Sequence, residues 1–217
     1  MNTILSSQSS NPILSTVLLD YGQVLCLPQP ETDLRALAHQ CGTSDLERFS
    51  TAYYEPRHEY DRGTLDGPTY WQLVCEQLGT SLPDPLCEQL IALDNQSWAY
   101  ANIEMSNWVA AVQRQGIRTA ILSNMPLDMR KDFDRYTPWL PPIPEKFFSC
   151  DFQRIKPEPE IFEICLAALG IAPETVLFVD DRPANVATAR SLGITTIRFE
   201  STEQFFREVH TISIQSP

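Results

Sequence analysis

Residues 16–25 read TVLLDYGQVL, and this stretch decides the fold. Val17, Leu18 and Leu19 form an unbroken apolar run. Continuous apolarity, without polar alternation, suits a strand covered on both faces of a parallel sheet. The run stops abruptly at an acid, Asp20, and Gly22 follows where a tight turn is expected. In open α/β sheets, ligands sit outside the carboxyl ends of the strands. An acid at the tip of a central strand is therefore placed for chemistry.

Three further segments complete the pattern. ILSN at 121–124 is an apolar strand ending in Ser123, Lys156 stands alone in RIKPEPEIF, and LFVDD at 177–181 ends in paired acids. If the strands are parallel neighbours, Asp20, Asp180 and Asp181 converge at one sheet edge. Three carboxylates repel one another there. A hard cation such as Mg²⁺ removes that cost and prefers oxygen ligands, with phosphate completing its shell. Ser123, nearby backbone N–H groups and Lys156 supply donors to a phosphate. The set suits phosphoryl transfer, where catalysis is largely positioning and neutralisation of charge. Taken singly, Asp20 is an ordinary turn residue, Ser123-Asn124 ordinary loop chemistry, Lys156 a solvated lysine and Asp181 a helix cap. Their order and strand placement give them weight together.

This order resembles the four-motif signature of the haloacid dehalogenase (HAD) superfamily, over about residues 14–199. The region between the first two motifs is similar to the helical cap of phosphatase-type members, sugar-phosphate phosphatases included. The resemblance implies that Asp20 is a nucleophile forming an aspartyl-phosphate that water hydrolyses. It assigns Asp20, the Gly22 carbonyl, Asp180 and Asp181 to Mg²⁺, and Ser123, Asn124 and Lys156 to the phosphate, Lys156 also steadying Asp20. One position departs from the pattern. Most phosphatase members carry a second Asp two residues after the nucleophile, as general acid–base, and Gly22 stands there. Loss of such a group typically costs about 10²–10⁴-fold, although some sugar-phosphate phosphatases of the superfamily also carry glycine here.

A replacement can come from the cap. YYEPRHEYDRGTLDGPTYW at 53–71 is similar to the cap helix and turn that face the cleft in these phosphatases. The segment holds Glu55, His58, Glu59, Asp61 and Arg62, and His58 or a nearby acid is the expected stand-in, with Glu59 and Arg62 as further cap residues. The competing reading is a solvated helix face with an Arg62 ion pair. Two other functions stay open. A 2-haloacid dehalogenase uses the same Asp, Ser-Asn and Lys, although metal-free members do not need Asp180-Asp181. A binding or regulatory protein that has lost turnover is supported by Gly22 alone. A phosphoacceptor regulatory domain fails on the helical insert and the motif order.

The intervening chain fits an α/β protein: a doubly wound parallel-sheet core with an inserted all-helical cap. Core residues are expected at 1–30 and 104–217, with the cap at 31–103. Helical spacing appears in DLRALAHQCG, in TSDLERFSTAYY with Thr43 or Ser44 as N-cap and Glu47 for a capping box, in TYWQLVCEQLGT and in PDPLCEQLIALDNQSW. From Ser106 onward helices and strands alternate, which calls for right-handed crossovers. NWVAAVQRQGI, DMRKDFDRY, PEPEIFEICLAALGI and NVATARSLG read as helices; TAILS, FFSCDF, TVLFVD and TTIRF read as strands. PWLPPIPEKF reads as an irregular proline-rich loop. Trp98, Trp108 and Trp139 are read as core.

A net charge of −12 over 217 residues argues against nucleic acid and anionic membranes as partners. It also requires that the field be reversed locally before a small phosphorylated substrate can bind. Six cysteines without a C-x-x-C pair fit reduced, buried thiols in the cytoplasm. The first dozen residues, lacking basic residues and a long apolar run, read as a frayed tail and not a signal peptide. Oligomeric state is open.

Overall fold

The computed structural model describes residues 14–82, 84–212 and 214. The N-terminal tail lies outside the described residues. Strand β1 (Thr16–Leu19) is buried throughout. The chain then enters five helices: α1 (Glu31–Gln40), α2 (Leu46–Tyr54), α3 (Arg57–Arg62), α4 (Gly67–Leu78) and α5 (Asp84–Ser97). It returns through α6 (Ile103–Arg114), β2 (Arg118–Ser123), α7 (Leu127–Lys131), α8 (Phe133–Tyr136), β3 (Glu145–Phe148) and α9 (Ser149–Phe152). The last elements are α10 (Pro159–Leu169), β4 (Val176–Asp180), α11 (Pro183–Ser191), β5 (Thr195–Arg198) and α12 (Thr202–Val209).

The five strands form one parallel sheet in the order β3-β2-β1-β4-β5, the doubly wound arrangement expected from the sequence. Side chains of a strand alternate between faces, and β1 feeds two cores accordingly. Val17 and Leu19 join Met105 and Val109 of α6 and Phe205 of α12. Leu18 joins Ile161, Phe162 and Cys165 of α10 and Ala189 of α11 on the other face. That double burial is why the strand sequence is uninterrupted Val-Leu-Leu.

The helices between β1 and β2 bury a separate cluster around Phe49, Tyr53, Tyr60, Tyr70 and Trp71. Two crossings of the chain join this cap to the core, and they are zipped together. Leu27 N donates to Tyr100 O at 2.7 Å, and Asn102 N to Leu25 O at 3.0 Å.

Local sequence explains the helix ends and several differences from expectation. Helix α2 is capped by Asp45, which accepts from Arg48 N, while Thr43 Oγ1 accepts from Asp45 N one turn earlier. Asp45, directly before the first helical residue, takes the cap in place of Thr43 or Ser44. DMRKDFDRY divides into α7 and α8, because Asp132 leaves helical geometry between them. The expected strand FFSCDF stops at Phe148. Ser149 turns the chain into α9, and the strand instead begins at Glu145 inside the proline-rich stretch. Among the described residues no helix is long and apolar enough to cross a membrane.

Candidate active site at the carboxyl edge of the sheet

Parallel pairing of β1 with β2 and β4 brings three strand tips side by side, with Leu19 opposite Ile121 and Val179. Asp20 and Asp180 follow directly and Ser123 two residues on, and all three are buried. The carboxylate oxygens of Asp20, Asp180 and Asp181 lie within 4.8 Å of one another. Lys156 arrives from the loop before α10 and places Nζ 2.9 Å from Asp20 Oδ1 and 2.6 Å from Asp180 Oδ2.

Each side chain is held by its neighbours. Asp180 Oδ1 accepts from Arg182 N, and Asn185 Nδ2 reaches both Asp180 oxygens at 3.0 Å. Asp20 Oδ1 accepts from Tyr21 N at 2.7 Å, and no hydrogen bond among the described residues goes to Oδ2. Asn124 clamps the lysine loop, donating to Lys156 O at 2.9 Å and accepting from Lys156 N at 2.8 Å. Its amide is therefore spent on backbone. Ser123 Oγ makes only a 3.5 Å contact, with Asn124 O, and lines the cavity with hydrogen-bonding capacity to spare.

The electrostatics are unbalanced. Burial pushes the Asp20 carboxyl from 3.8 up to about 7; Lys156 pulls it down, and Asp180 and Asp181 push it further up. Burial also raises Asp181, with Asp180 adding to the effect. Burial opposes the Lys156 ammonium, yet Asp180 and Asp20 hold it above its ordinary value. Three carboxylates meet the Lys156 ammonium, and Arg182 offsets part of the charge on Asp181, so negative charge remains in excess in a water-poor site. The all-oxygen donor set and that charge fit a hard divalent cation held by Asp20, Asp180 and Asp181, and Gly22 lines the same cavity.

The backbone at Gly22 differs from expectation. Gly22 has φ −63° and ψ 127°, open to any residue, and the left-handed position is Gln23 at φ 60°. A Cβ at residue 22 would meet Trp98 Cζ3 at 3.7 Å, an ordinary contact. Neither the turn nor the space demands glycine. Gln23, which the sequence did not mark, donates from Nε2 to Asp181 Oδ2 at 3.1 Å.

The cap supplies the opposite wall of a cavity of about 90 Å³, through Tyr54, Arg57, Asp61 and Trp98. Of the ionisable residues that the sequence offered in this cap segment, Asp61 lines it, whereas His58, Glu59 and Arg62 do not. His58 and Glu59 are exposed. Arg62 pairs with Glu158 at 2.6 Å, tying cap to core. Helix α3 turns a different face inward: residues 57 and 61 are four apart and share a side, whereas 58, 59 and 62 point away.

With this geometry in place, comparison with known proteins gives a consistent result. Residues 102–193 match the family model for haloacid dehalogenase-like hydrolases. Over that stretch, which runs from the start of α6 to just past α11, the chain is similar to haloacid dehalogenase-like hydrolases. Bifunctional epoxide hydrolase 2 of Rattus norvegicus is 30% identical over 139 residues, which is 62% of this chain and 25% of that one. The chain thus spans about a quarter of the length of that curated relative. Among solved structures, a HAD family enzyme of Bacteroides thetaiotaomicron, in complex with magnesium and inorganic phosphate, superposes with TM-score 0.69 at 19% identity. That match covers 89% of this chain and 100% of that one. L-2-haloacid dehalogenase of Xanthobacter autotrophicus superposes with TM-score 0.68 at 18% identity, covering 92% and 83%. At these identities the superpositions speak for the shared fold. The same architecture therefore serves an enzyme that binds magnesium and phosphate and an L-2-haloacid dehalogenase, and function lies with the site residues.

Proposed function

We propose that this chain is a Mg²⁺-dependent phosphomonoesterase acting on a small organic phosphate through an aspartyl-phosphate on Asp20. The observation that carries the reading is the cluster of Asp20, Asp180 and Asp181 within 4.8 Å, which outweighs the single ammonium of Lys156. A halide-releasing site gains nothing from a third carboxylate, whereas a phosphate needs a bridge to so acidic a pocket. The magnesium and phosphate bound by the Bacteroides thetaiotaomicron enzyme support the same cofactor and ligand class.

Magnesium, when bound, supplies positive charge that draws the phosphate in and offsets charge developing on its oxygens. The chain's own residues do the rest. Asp20 Oδ2 attacks phosphorus while Lys156 and Tyr21 N hold Oδ1 in place. Ser123 donates to a phosphate oxygen. Asn124 fixes the loop that carries Lys156, and Asn185 and Arg182 N fix Asp180. The cap covers the site and excludes water from the first step. A cavity near 90 Å³ supports a small ester, a sugar phosphate being one such size class. Free cysteines throughout the described residues support a reducing, cytoplasmic location.

Para-nitrophenyl phosphate hydrolysis by chelator-treated protein, with and without added Mg²⁺, tests the reading. Turnover that appears with Mg²⁺ supports it. The superposition on L-2-haloacid dehalogenase keeps one rival, dehalogenation, in view. Halide release from a 2-haloacid in the presence of chelator, without phosphatase activity, would establish that rival instead.

A further inference from the structure

The departure at Gly22 leaves the proposed phosphomonoesterase without a proton donor for its leaving group, and the structure supplies a carboxylate from elsewhere. The space next to Gly22 is walled by Trp98, 3.7 Å from where a Cβ would sit. The Arg57 guanidinium lies 5.9 Å over the Trp98 ring, and Arg57 Nε is 2.9 Å from Asp61 Oδ1. Three carboxylates line the cavity among the described residues: Asp20, Asp181 and Asp61. The first two belong to the acidic cluster of the core. Asp61 lies outside that cluster and lines the same cavity from the cap, paired with Arg57.

Its placement is rigid. The Asp61 carbonyl accepts a short hydrogen bond from Ser149 Oγ, which itself accepts from Met125 N at 2.9 Å. Met125 lies two residues beyond Ser123, so a single serine links Asp61 to the phosphate-facing loop. Gly63 ends α3 at φ +81°, with the Cys150 backbone so close that a Cβ there would meet it at 3.0 Å. The cap helix is docked on α9 at the point where Asp61 enters the cavity.

We propose that Asp61 is the general acid–base of the reaction, replacing from the cap the carboxylate that Gly22 lacks. The proposal rests on the phosphomonoesterase reading and deepens it. Protonated Asp61 donates to the bridging ester oxygen as Asp20 Oδ2 bonds to phosphorus; the phosphorus–oxygen bond breaks and its electron pair leaves with the alcohol. The resulting Asp61 carboxylate then takes a proton from water as that water attacks phosphorus. The Asp20–phosphorus bond breaks, freeing phosphate, Asp20 and a reprotonated Asp61. Arg57, Asp94, Arg182, Tyr70 and Cys150 are the charged or titratable groups around Asp61. Burial raises its carboxyl above the ordinary carboxylate value against the pull of Arg57, the direction that favours a proton donor.

The test compares wild type and Asp61→Asn on two esters with Mg²⁺. Para-nitrophenolate leaves without a proton, whereas phenol, with a pKa of about 10, needs one. The expected result is a split. For Asp61→Asn, kcat/KM falls about 10²-fold or more on phenyl phosphate and under tenfold on para-nitrophenyl phosphate. A pre-steady-state burst of para-nitrophenolate also appears, because the general base for the second step is gone. Equal losses in kcat/KM on the two esters, or no loss on either, would overturn the proposal and leave Asp61 as the anchor of Arg57. Asp61→Ala, with its melting temperature measured alongside, must reproduce the split. Failure of the wild type on both esters would instead overturn the phosphomonoesterase reading, and this proposal with it.

Discussion

The ammonium of Lys156 lies 2.6 Å from Asp180 Oδ2, and both side chains are almost wholly shielded from water. The same nitrogen is 2.9 Å from Asp20 Oδ1. One cation thus holds together two acids drawn from different strands. Burying such a group is tolerable only while its partners remain, and breaking the pair strands uncompensated charge.

Lys156→Met therefore leaves Asp20 and Asp180 facing each other without a counter-charge. At pH 8 and without metal, urea unfolding of this variant should show a loss of about 3–5 kcal/mol. Added Mg²⁺ should recover part of the loss. A variant as stable as wild type in chelator would show that the three acids do not burden the fold.

The raised pKa of Asp20 gives a stability prediction of definite sign. With a folded value of about 7 against 3.8, the folded state holds a proton that the unfolded state has already released. Stability is then fully present below about pH 4 and is lost as pH rises to about 7. Asparagine carries no charge, so metal-free Asp20→Asn should be more stable than wild type at pH 8, by at most about 4 kcal/mol. Near pH 4 the difference should vanish. Thermal melts in chelator at the two pH values check this.

Glycine 22 can be replaced at little structural cost. Its backbone suits any residue and a Cβ has ordinary room, so Gly22→Ala should keep or raise stability by about 0.4–1 kcal/mol through the unfolded chain. Gly63→Ala should do the reverse, losing about 1–2 kcal/mol or more at its left-handed position against the Cys150 backbone. Denaturation midpoints of the two variants should move in opposite directions.

His58 and Glu59 stand outside the cavity, so replacing both with alanine should leave kcat and KM for para-nitrophenyl phosphate unchanged. Arg62 and Glu158 form a partly exposed strut between cap and core. A double-mutant cycle on that pair should give a coupling of at most about 1 kcal/mol.

What was legible in the sequence follows from burial. A strand covered on both faces must be apolar throughout, so an acid at its end stands out, and this exposed Asp20, Ser123 and Asp180 at once. Helices α1, α2, α4, α5 and α10 announced themselves by apolar spacing against their own cores. The inward face of α3 did not. Arg57 and Asp61 are polar residues that line the cavity, and nothing in composition separates them from His58 and Glu59 on the outer side. Asn185 and Ser149 hold the site through hydrogen bonds, a property with no periodicity. Asn124 matched a phosphate-binding position, yet its amide faces the Lys156 backbone, a contact between segments 32 residues apart. The tight turn expected at Gly22 falls one residue later, where Gln23 adopts the left-handed conformation and its side chain bonds Asp181.

Asp20 as nucleophile is tested most directly by para-nitrophenyl phosphate turnover of Asp20→Asn at saturating Mg²⁺. The predicted result is a fall of about 10⁴-fold or more in kcat, with a melting temperature no lower than that of wild type. Turnover within about tenfold of wild type would contradict it, because an amide at that position cannot form the aspartyl-phosphate.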